Sequence, residues 1–244
     1  MKRKFFLAIA VTALMVGSTI AQAADVSFSG QIRPRFEMDE DSRVGTDKAS
    51  VFNTRVRLNA KANVNANTEV FMQFQSIGSW GVNDADNNGT RQSQGGGGDQ
   101  ANDNLNDVGF HQAYLTLKNF GGLAFDAKIG RQEVVLDGHR LFGHTGWTPG
   151  AQTSDAIRLT HSGGNHTINA IYIAETNSDS IANDTNQNGH MYVLHTNSQG
   201  VLGGALSGYF VLLDDSSASA ELDSNQQWFT IGARQAGKLA GLDY

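Results

Sequence analysis

Residues 25–38 read Asp-Val-Ser-Phe-Ser-Gly-Gln-Ile-Arg-Pro-Arg-Phe-Glu-Met. Every even position is apolar, Gly or Pro: Val26, Phe28, Gly30, Ile32, Pro34, Phe36 and Met38. Every odd position is polar or charged: Asp25, Ser27, Ser29, Gln31, Arg33, Arg35 and Glu37. A strand turns successive side chains to opposite faces, so this segment predicts a strand with one oily face and one wet, arginine-bearing face. It follows directly on an export signal. Lys2, Arg3 and Lys4 are the basic start, Phe5 to Ile20 the apolar stretch, and Ala21-Gln22-Ala23 an A-x-A cleavage site. Residues 1–23 therefore read as a signal peptide and 24–244 as the mature domain. An exported strand with oil on one side and water on the other is the unit of a Gram-negative outer-membrane β-barrel.

The alternation recurs along the chain. Phe52, Val56, Leu58, Ala60 and Val64 oppose Asn53, Arg55, Arg57, Asn59 and Lys61. Val70, Met72 and Phe74 oppose Glu69, Gln73 and Gln75, although Phe71 breaks the pattern. His111, Ala113, Leu115 and Leu117 oppose Gln112, Tyr114, Thr116 and Lys118; Leu123, Phe125, Ala127 and Ile129 oppose Asp126, Lys128 and Gln132. Ile157 and Leu159 oppose Arg158 and Thr160. Segments near 166–175 and 189–196 alternate less cleanly. Leu202, Leu206, Phe210 and Leu212 oppose Ser207 and Tyr209, with Val201, Val211 and Leu213 off-pattern. Phe229, Ile231 and Ala233 oppose Trp228, Thr230 and Arg234. About ten strands result. The connections alternate in length. Long polar ones lie near 39–50, 78–107, 134–152, 176–188 and 214–225. Short turns lie at 65–67, 119–122, 162–165, 197–200 and near Gly237. Short turns at one end and long loops at the other are the mark of an outer-membrane barrel. A soluble up-and-down barrel or sandwich shares the alternation but has no reason for that asymmetry.

Composition narrows the class further. The chain carries a net charge of −6, and the signal holds three positive charges and no acidic one, so the mature chain stands at −6 − 3 = −9. That balance argues against nucleic acid as a partner. No cysteine is present, so no disulfide staples an exported chain. Twenty-eight glycines against two prolines suit strands that must stay paired. The mean hydropathy of −0.33 fits a barrel, which needs only alternate strand residues to be apolar.

Two stretches go beyond generic patterning. Gly130-Arg131-Gln132-Glu133 ends a strand and is followed by Leu141-Phe142-Gly143, Trp147, and Asp155-Ala156-Ile157-Arg158-Leu159. The other stretch is His111-Gln112-Ala113-Tyr114-Leu115. With the opening Gly30-Gln31-Ile32-Arg33-Pro34-Arg35-Phe36-Glu37, these resemble the alginate export family of outer-membrane channels, from about residue 26 to the end. The resemblance implies a monomeric, 18-stranded barrel whose arginine-lined lumen passes an anionic polysaccharide. About ten strands fall short of that number, and 237–244 reads as a turn and the start of another strand. The expectation is the N-terminal part of a larger barrel, the alternative a complete ten-stranded one with a narrow, filled lumen.

Transport requires a wet path and a charge pattern, with no covalent chemistry. Arg33, Arg35, Arg55, Arg57, Lys61 and Arg158 fall on the polar parity, where they favour anions and pair bidentately with carboxylates. Glu37, Glu69 and Asp126 share that parity and moderate capture. Arg131 shares parity with Ile129, so it lies at the rim or is turned inward by a bulge at Gly130; the resemblance favours the lumen. A general porin, or an uptake channel for small anions, would carry the same lining.

The segments 84–89 and 184–189 fit the first half of a calcium loop, D-x-[DN]-x-[DN]-G. Asp84, Asp86 and Asn88, and Asp184, Asn186 and Asn188, offer short oxygen ligands at alternate positions for Ca2+. The closing glutamate is missing: Gly95 and His195 hold its place. No other cofactor is expected. No H-x-x-x-H pair, G-x-S-x-G elbow or P-loop occurs, so an enzyme is not expected. The long loops leave a non-transporting adhesin as an alternative of another class.

Overall fold

The computed structural model describes residues 25–39, 49–79, 108–174, 189–215, 226–239 and 241–244. The signal peptide and all six candidate calcium ligands, Asp84, Asp86, Asn88, Asp184, Asn186 and Asn188, lie outside the described residues. The alternating segments form β1 (Asp25–Asp39), β2 (Ala49–Asn65), β3 (Thr68–Ser79), β4 (Gly109–Leu117), β5 (Asp126–Gln132) and β6 (Ser154–Gly163). They continue as β7 (His166–Ala174), β8 (Gly189–Val201), β9 (Gly204–Asp215), β10 (Gln226–Leu239) and the short β11 (Leu242–Asp243). All belong to one sheet in chain order, and each pairs antiparallel with its neighbour. The sheet is not closed: among the described residues β1 pairs only with β2, and no ladder joins it to β10.

Alternation sorts the side chains as the pleat requires. Phe28, Ile32 and Phe36 of β1, Leu58 of β2, and Phe229 and Ile231 of β10 stand exposed on one face. Phe125, Ile157, Leu194, Leu206 and Phe210 continue that apolar face around the sheet. Arg55, Gln73, Gln75, Asn169, His195 and Ser207 are buried on the other.

Two local departures matter. The ladder of β3 with β4 shifts register between Gln73 and Phe74, so that Gln112 faces Gln73 and Phe110 faces Phe74. The residue left between them, His111, turns onto the polar face despite its apolar parity. The turn expected at 197–200 also moves. Asn197, Ser198 and Gln199 stay paired with Ser207, Leu206 and Ala205, and the chain reverses at Leu202 and Gly203. Gly200, at φ +81°, absorbs the register shift there and Gly203, at φ +76°, the reversal.

The connection of residues 133–153 lies against the polar face rather than projecting from the sheet. Its Asp137 meets β8, Gly138 sits beside Arg234 of β10, and its 146–148 carbonyls meet β1. In a flat sheet β1 and β10 would lie nine spacings apart, ~43 Å. From Gly138 to Trp147 the chain reaches at most ~32 Å fully extended, and the Arg33 and Arg234 side chains add ~7 Å each, so only a straight strap would span that width. Here Thr148 N–H binds the Thr145 carbonyl and Leu136 N–H the Phe142 carbonyl, and the strap is folded. The sheet is therefore curled around this segment, polar face inward.

In a bilayer, Ile32→Arg or Ile231→Arg is expected to cost ~2–4 kcal/mol, because each puts a cation on the apolar face, whereas Ser29→Arg is expected to be nearly neutral. Urea unfolding from lipid vesicles measures the difference, and equal costs at Ile32 and Ser29 would refute the assignment of faces.

Candidate functional site

The inward segment is held by an apolar foot and a polar clamp. Val134 and Leu136 are buried against Ala156, Ile171, Ile173, Val193 and Tyr209 of β6 to β9, and Phe142 packs on the same cluster with Met191 and Val211. Ile171, Ile173, Val193 and Val211 occupy the parity that is polar elsewhere. That is why alternation weakens along β7 and β8 and why Val211 looks off-pattern. Burying such side chains contributes roughly 1.5–3 kcal/mol each.

The segment leaves β5 through Gly130-Arg131-Gln132-Glu133. Gly130 adopts φ +122°, and a Cβ there would collide with the Ala113 carbonyl and come within 3.0 Å of Tyr114 Cα, so only glycine fits. Gln132 is fully buried; its amide donates to the carbonyls of Ala156 at 3.0 Å, Gly130 at 3.2 Å and Lys128 at 3.3 Å. Glu133 N–H donates to Gln112 Oε1 at 3.2 Å. The Glu133 carboxylate reaches His111 Nε2 at 3.0 Å and Arg57 at 3.5 Å. Burial raises the Glu133 pKa, but the hydrogen bond from His111 and the nearby His144 and Arg57 outweigh it, holding the carboxyl below its ordinary value.

The clamp comes from β1 and β2. Arg33 donates to the carbonyls of Gly146 at 2.7 Å, Trp147 at 3.1 Å and Thr148 at 3.1 Å. Arg35 donates to the Trp147 carbonyl at 2.5 Å, and its guanidinium lies 4.5 Å from the centre of the Trp147 ring. Arg55 donates to Thr148 at 3.4 Å and Pro149 at 3.3 Å, and to Gln31 Oε1 at 2.8 Å. Gln75 takes a donation from Arg57 at 2.6 Å and itself donates to the Gly150 carbonyl at 2.9 Å. Arg33 and Arg55 stand directly opposite in register. Like charges so placed repel, and four successive carbonyl dipoles hold them together without neutralising them.

At the far end of the segment Asp137 accepts from His195 Nε2 at 3.2 Å and from Asn197 at 3.2 Å. Asn169 Oδ1 accepts from Arg158 Nε at 3.0 Å, Arg158 Nη2 at 2.8 Å and Thr160 at 2.9 Å. The Asn169 amide then donates to His195 Nδ1 at 3.0 Å, which leaves the imidazole proton on Nε2 for Asp137.

The sequence candidates thus divide. Arg33, Arg35, Arg55 and Arg57 come together around the segment. Arg158 shares their face but is held by Asn169. Asp126 sits at a short turn, where it accepts from Asn119 N–H at 3.1 Å. The side chain of Glu37 lies outside the described residues. Arg131 requires a correction: the lumen position implied by the resemblance does not hold. The ladder runs through Gly130 without a bulge, so Arg131 stays on the face of Ile129 and pairs bidentately with Asp155, both bonds 2.9 Å. Gln75, His111, Gln132, Glu133, Asp137 and His195 were not among the site candidates read from the sequence, although His111, Gln132 and Glu133 stand in the stretches that carry the resemblance. A further signal was His111, a polar residue on the apolar parity of its strand.

Residues 24–244 match the sequence model of the family described as Alginate export. No curated protein matches the chain.

Leu136→Ala is expected to destabilise by ~2–5 kcal/mol and to speed tryptic cleavage at exposed Arg140, read from the fragments by mass spectrometry; unchanged cleavage would mean that the foot does not hold the segment. Glu133 yields a pH dependence. Its depressed pKa means that its contribution is fully present above the ordinary value of 4.5 and is lost as pH falls through the lower folded value. With Trp80 and Trp228 replaced by Phe, Trp147 fluorescence is expected to be flat from neutral pH to about 5 and to change below that. Glu133→Gln is expected to abolish the step, and a step that survives it assigns the transition to another group.

Proposed function

The chain belongs to the alginate export family, and from that membership and the geometry of its polar face we propose that it works as an outer-membrane channel for an alginate-type anionic polysaccharide. The observation that carries the reading is the gathering of Arg33, Arg35, Arg55 and Arg57 around one inward segment. The exposed apolar face would meet lipid, and the curled polar face would bound the path. There the segment of residues 133–153 narrows the passage, and the arginines set its charge. Neutral carbonyls occupy guanidinium donors but leave the positive potential intact. A polyanion is therefore attracted toward Arg33 and Arg55, whose described partners are carbonyls and an amide rather than carboxylates. Its carboxylates can replace the carbonyls one at a time, exchanging hydrogen bonds of similar geometry. Glu133 tempers the field beside Arg57 and favours release over trapping. On this reading the protein performs no covalent step and needs no cofactor.

Replacing Arg33, Arg35 and Arg55 together by Gln tests the reading. Glutamine keeps a donor on a shorter side chain, so tryptic cleavage at Arg140 is followed alongside to check that the segment stays seated while three positive charges disappear. In planar bilayers with a salt gradient the reversal potential is expected to move away from anion preference. The shift is expected to fade at 1 M salt, where the screening length falls to ~3 Å. A reversal potential unmoved by the triple variant would leave a general porin as the better reading.

A further inference from the structure

We infer that the outer wall of the sheet is low beside the inward segment, and that lipid headgroups come down to Arg131, Asp155 and His190 there, so that the bilayer is thinner along β5 to β8 than along β1. The inference rests on the membrane reading and concerns the apolar face. Along β1 that face runs from Val26 through Phe28, Gly30, Ile32 and Pro34 to Phe36, with no charged side chain and no histidine among them. The ten steps from Val26 to Phe36 cover ~33 Å of strand, or ~25 Å of height at a tilt near ~40°. That height matches the apolar band of an outer-membrane barrel. β6 and β8 differ. Between Asp155 and His161 the same face of β6 holds only Ile157 and Leu159. Between His190 and Thr196 that of β8 holds only Tyr192 and Leu194. Six steps from one polar residue to the next span ~20 Å of strand and ~15 Å of height.

The inward segment is the cause. β5 ends at Gln132 and β6 begins at Ser154, and Val134 and Leu136 between them are already seated on the polar face. Arg131 and Asp155 are therefore the last outward-facing pair at this end of their ladder. Their ion pair is open to the surroundings, with 54% of the Asp155 side chain exposed. Asp155, Ala174 and His190 stand in register on β6, β7 and β8. Ile157, Tyr172 and Tyr192 stand in register two residues nearer the short turns. The Tyr172 and Tyr192 rings lie 5.3 Å apart, and Tyr172 Oη bonds to His190 Nδ1 at 3.1 Å. Tyrosine rings in oil with a hydroxyl at the polar level mark the boundary of the hydrocarbon. Such a boundary crosses β6 to β8 at a height where β1 still shows only apolar side chains.

A band of full thickness would draw the Arg131–Asp155 pair into hydrocarbon, where charge is costly. Thinning the bilayer costs only a modest amount per ångström, so the lipid adapts, and the difference from β1 is ~10 Å. Lipid is the occupant because the face continues without a break into exposed Met72 of β3 on one side and Phe210 of β9 on the other.

The chain has no cysteine, so Ile32→Cys, Ile157→Cys and Tyr192→Cys each give one site for a nitroxide label in the full chain, reconstituted into phosphatidylcholine vesicles. Accessibility to oxygen and to a nickel chelate reports each label's depth. Labels at Ile157 and Tyr192 are expected ~5 Å below the headgroups, two residues from the polar row, and the label at Ile32 ~10 Å below, four residues from Phe36. Arg131→Leu together with Asp155→Leu is expected to sink the Ile157 label by ~5 Å. Heat-shifted gel mobility checks that each variant is folded, and if the double variant fails, the comparison of Ile157 with Ile32 carries the result. Equal depths at Ile157 and Ile32 overturn the inference. So does a Tyr192 label closed to both oxygen and the chelate, which would place protein, such as a second copy, on this wall. The Ile32 label judges the membrane reading separately: a chelate that reaches it as freely as oxygen defeats that reading, whereas a deep Ile32 label with an equally deep Ile157 label defeats the inference alone.

Discussion

An antiparallel ladder shows alternate side chains to opposite faces, and every other feature of this molecule follows from how its two faces are satisfied. One face is apolar from β1 to β10 and needs only a uniform oily neighbour. The other carries arginine, glutamine, asparagine and histidine, and it needs partners that water alone does not position. The inward segment of residues 133–153 supplies them. It seats Val134 and Leu136 on the apolar patch of β6 to β9 and offers four consecutive carbonyls to the arginines of β1 and β2. The same ladder leaves the outer edge of β1 without a described partner. Unpaired backbone groups in hydrocarbon are costly enough that such an edge must be covered wherever the sheet sits in lipid.

The arginine clamp joins structure to electrostatics. Had Arg33 and Arg55 been held by carboxylates, the segment would be fixed just as well but their charge would cancel. Backbone carbonyls bind the Nη donors of Arg33 and Arg55 and leave their field, so the side chains that hold the inward segment also charge its surroundings. The cost is repulsion between Arg33 and Arg55 across the ladder, offset by charge-assisted hydrogen bonds of roughly 1.5–3 kcal/mol each. The far anchor, Asp137 with His195 and Asn197, reverses the arrangement: there the segment contributes the acid and the sheet the donors.

The stretches that carry the family resemblance converge on one junction. Gln132 binds the Ala156 carbonyl, Arg131 binds Asp155, and Glu133 binds His111 and, through its N–H, Gln112. Gly130, Gln132, His111 and Ala156 therefore form a hinge that directs the chain inward at the end of β5. Their role is in the first place to aim the segment, and only through it to shape any path.

Period-two alternation by itself determined the strands, their two faces, the arginines' side of the sheet, and the asymmetry of short and long connections. All of these follow from the local pleat, which each strand expresses without its neighbours. Even the lapses were informative: Ile171, Ile173, Val193 and Val211 blurred the pattern because something apolar had to rest on them. What rests there, only the tertiary structure decided. Arg33 meets Gly146 across 113 residues of chain, a contact no local period encodes. The bulge that turns His111 inward, the straight ladder that keeps Arg131 outward, and the reversal at Leu202 rather than 197–200 likewise depend on pairing register. Register is a property of two strands together, and side chains read singly cannot specify it.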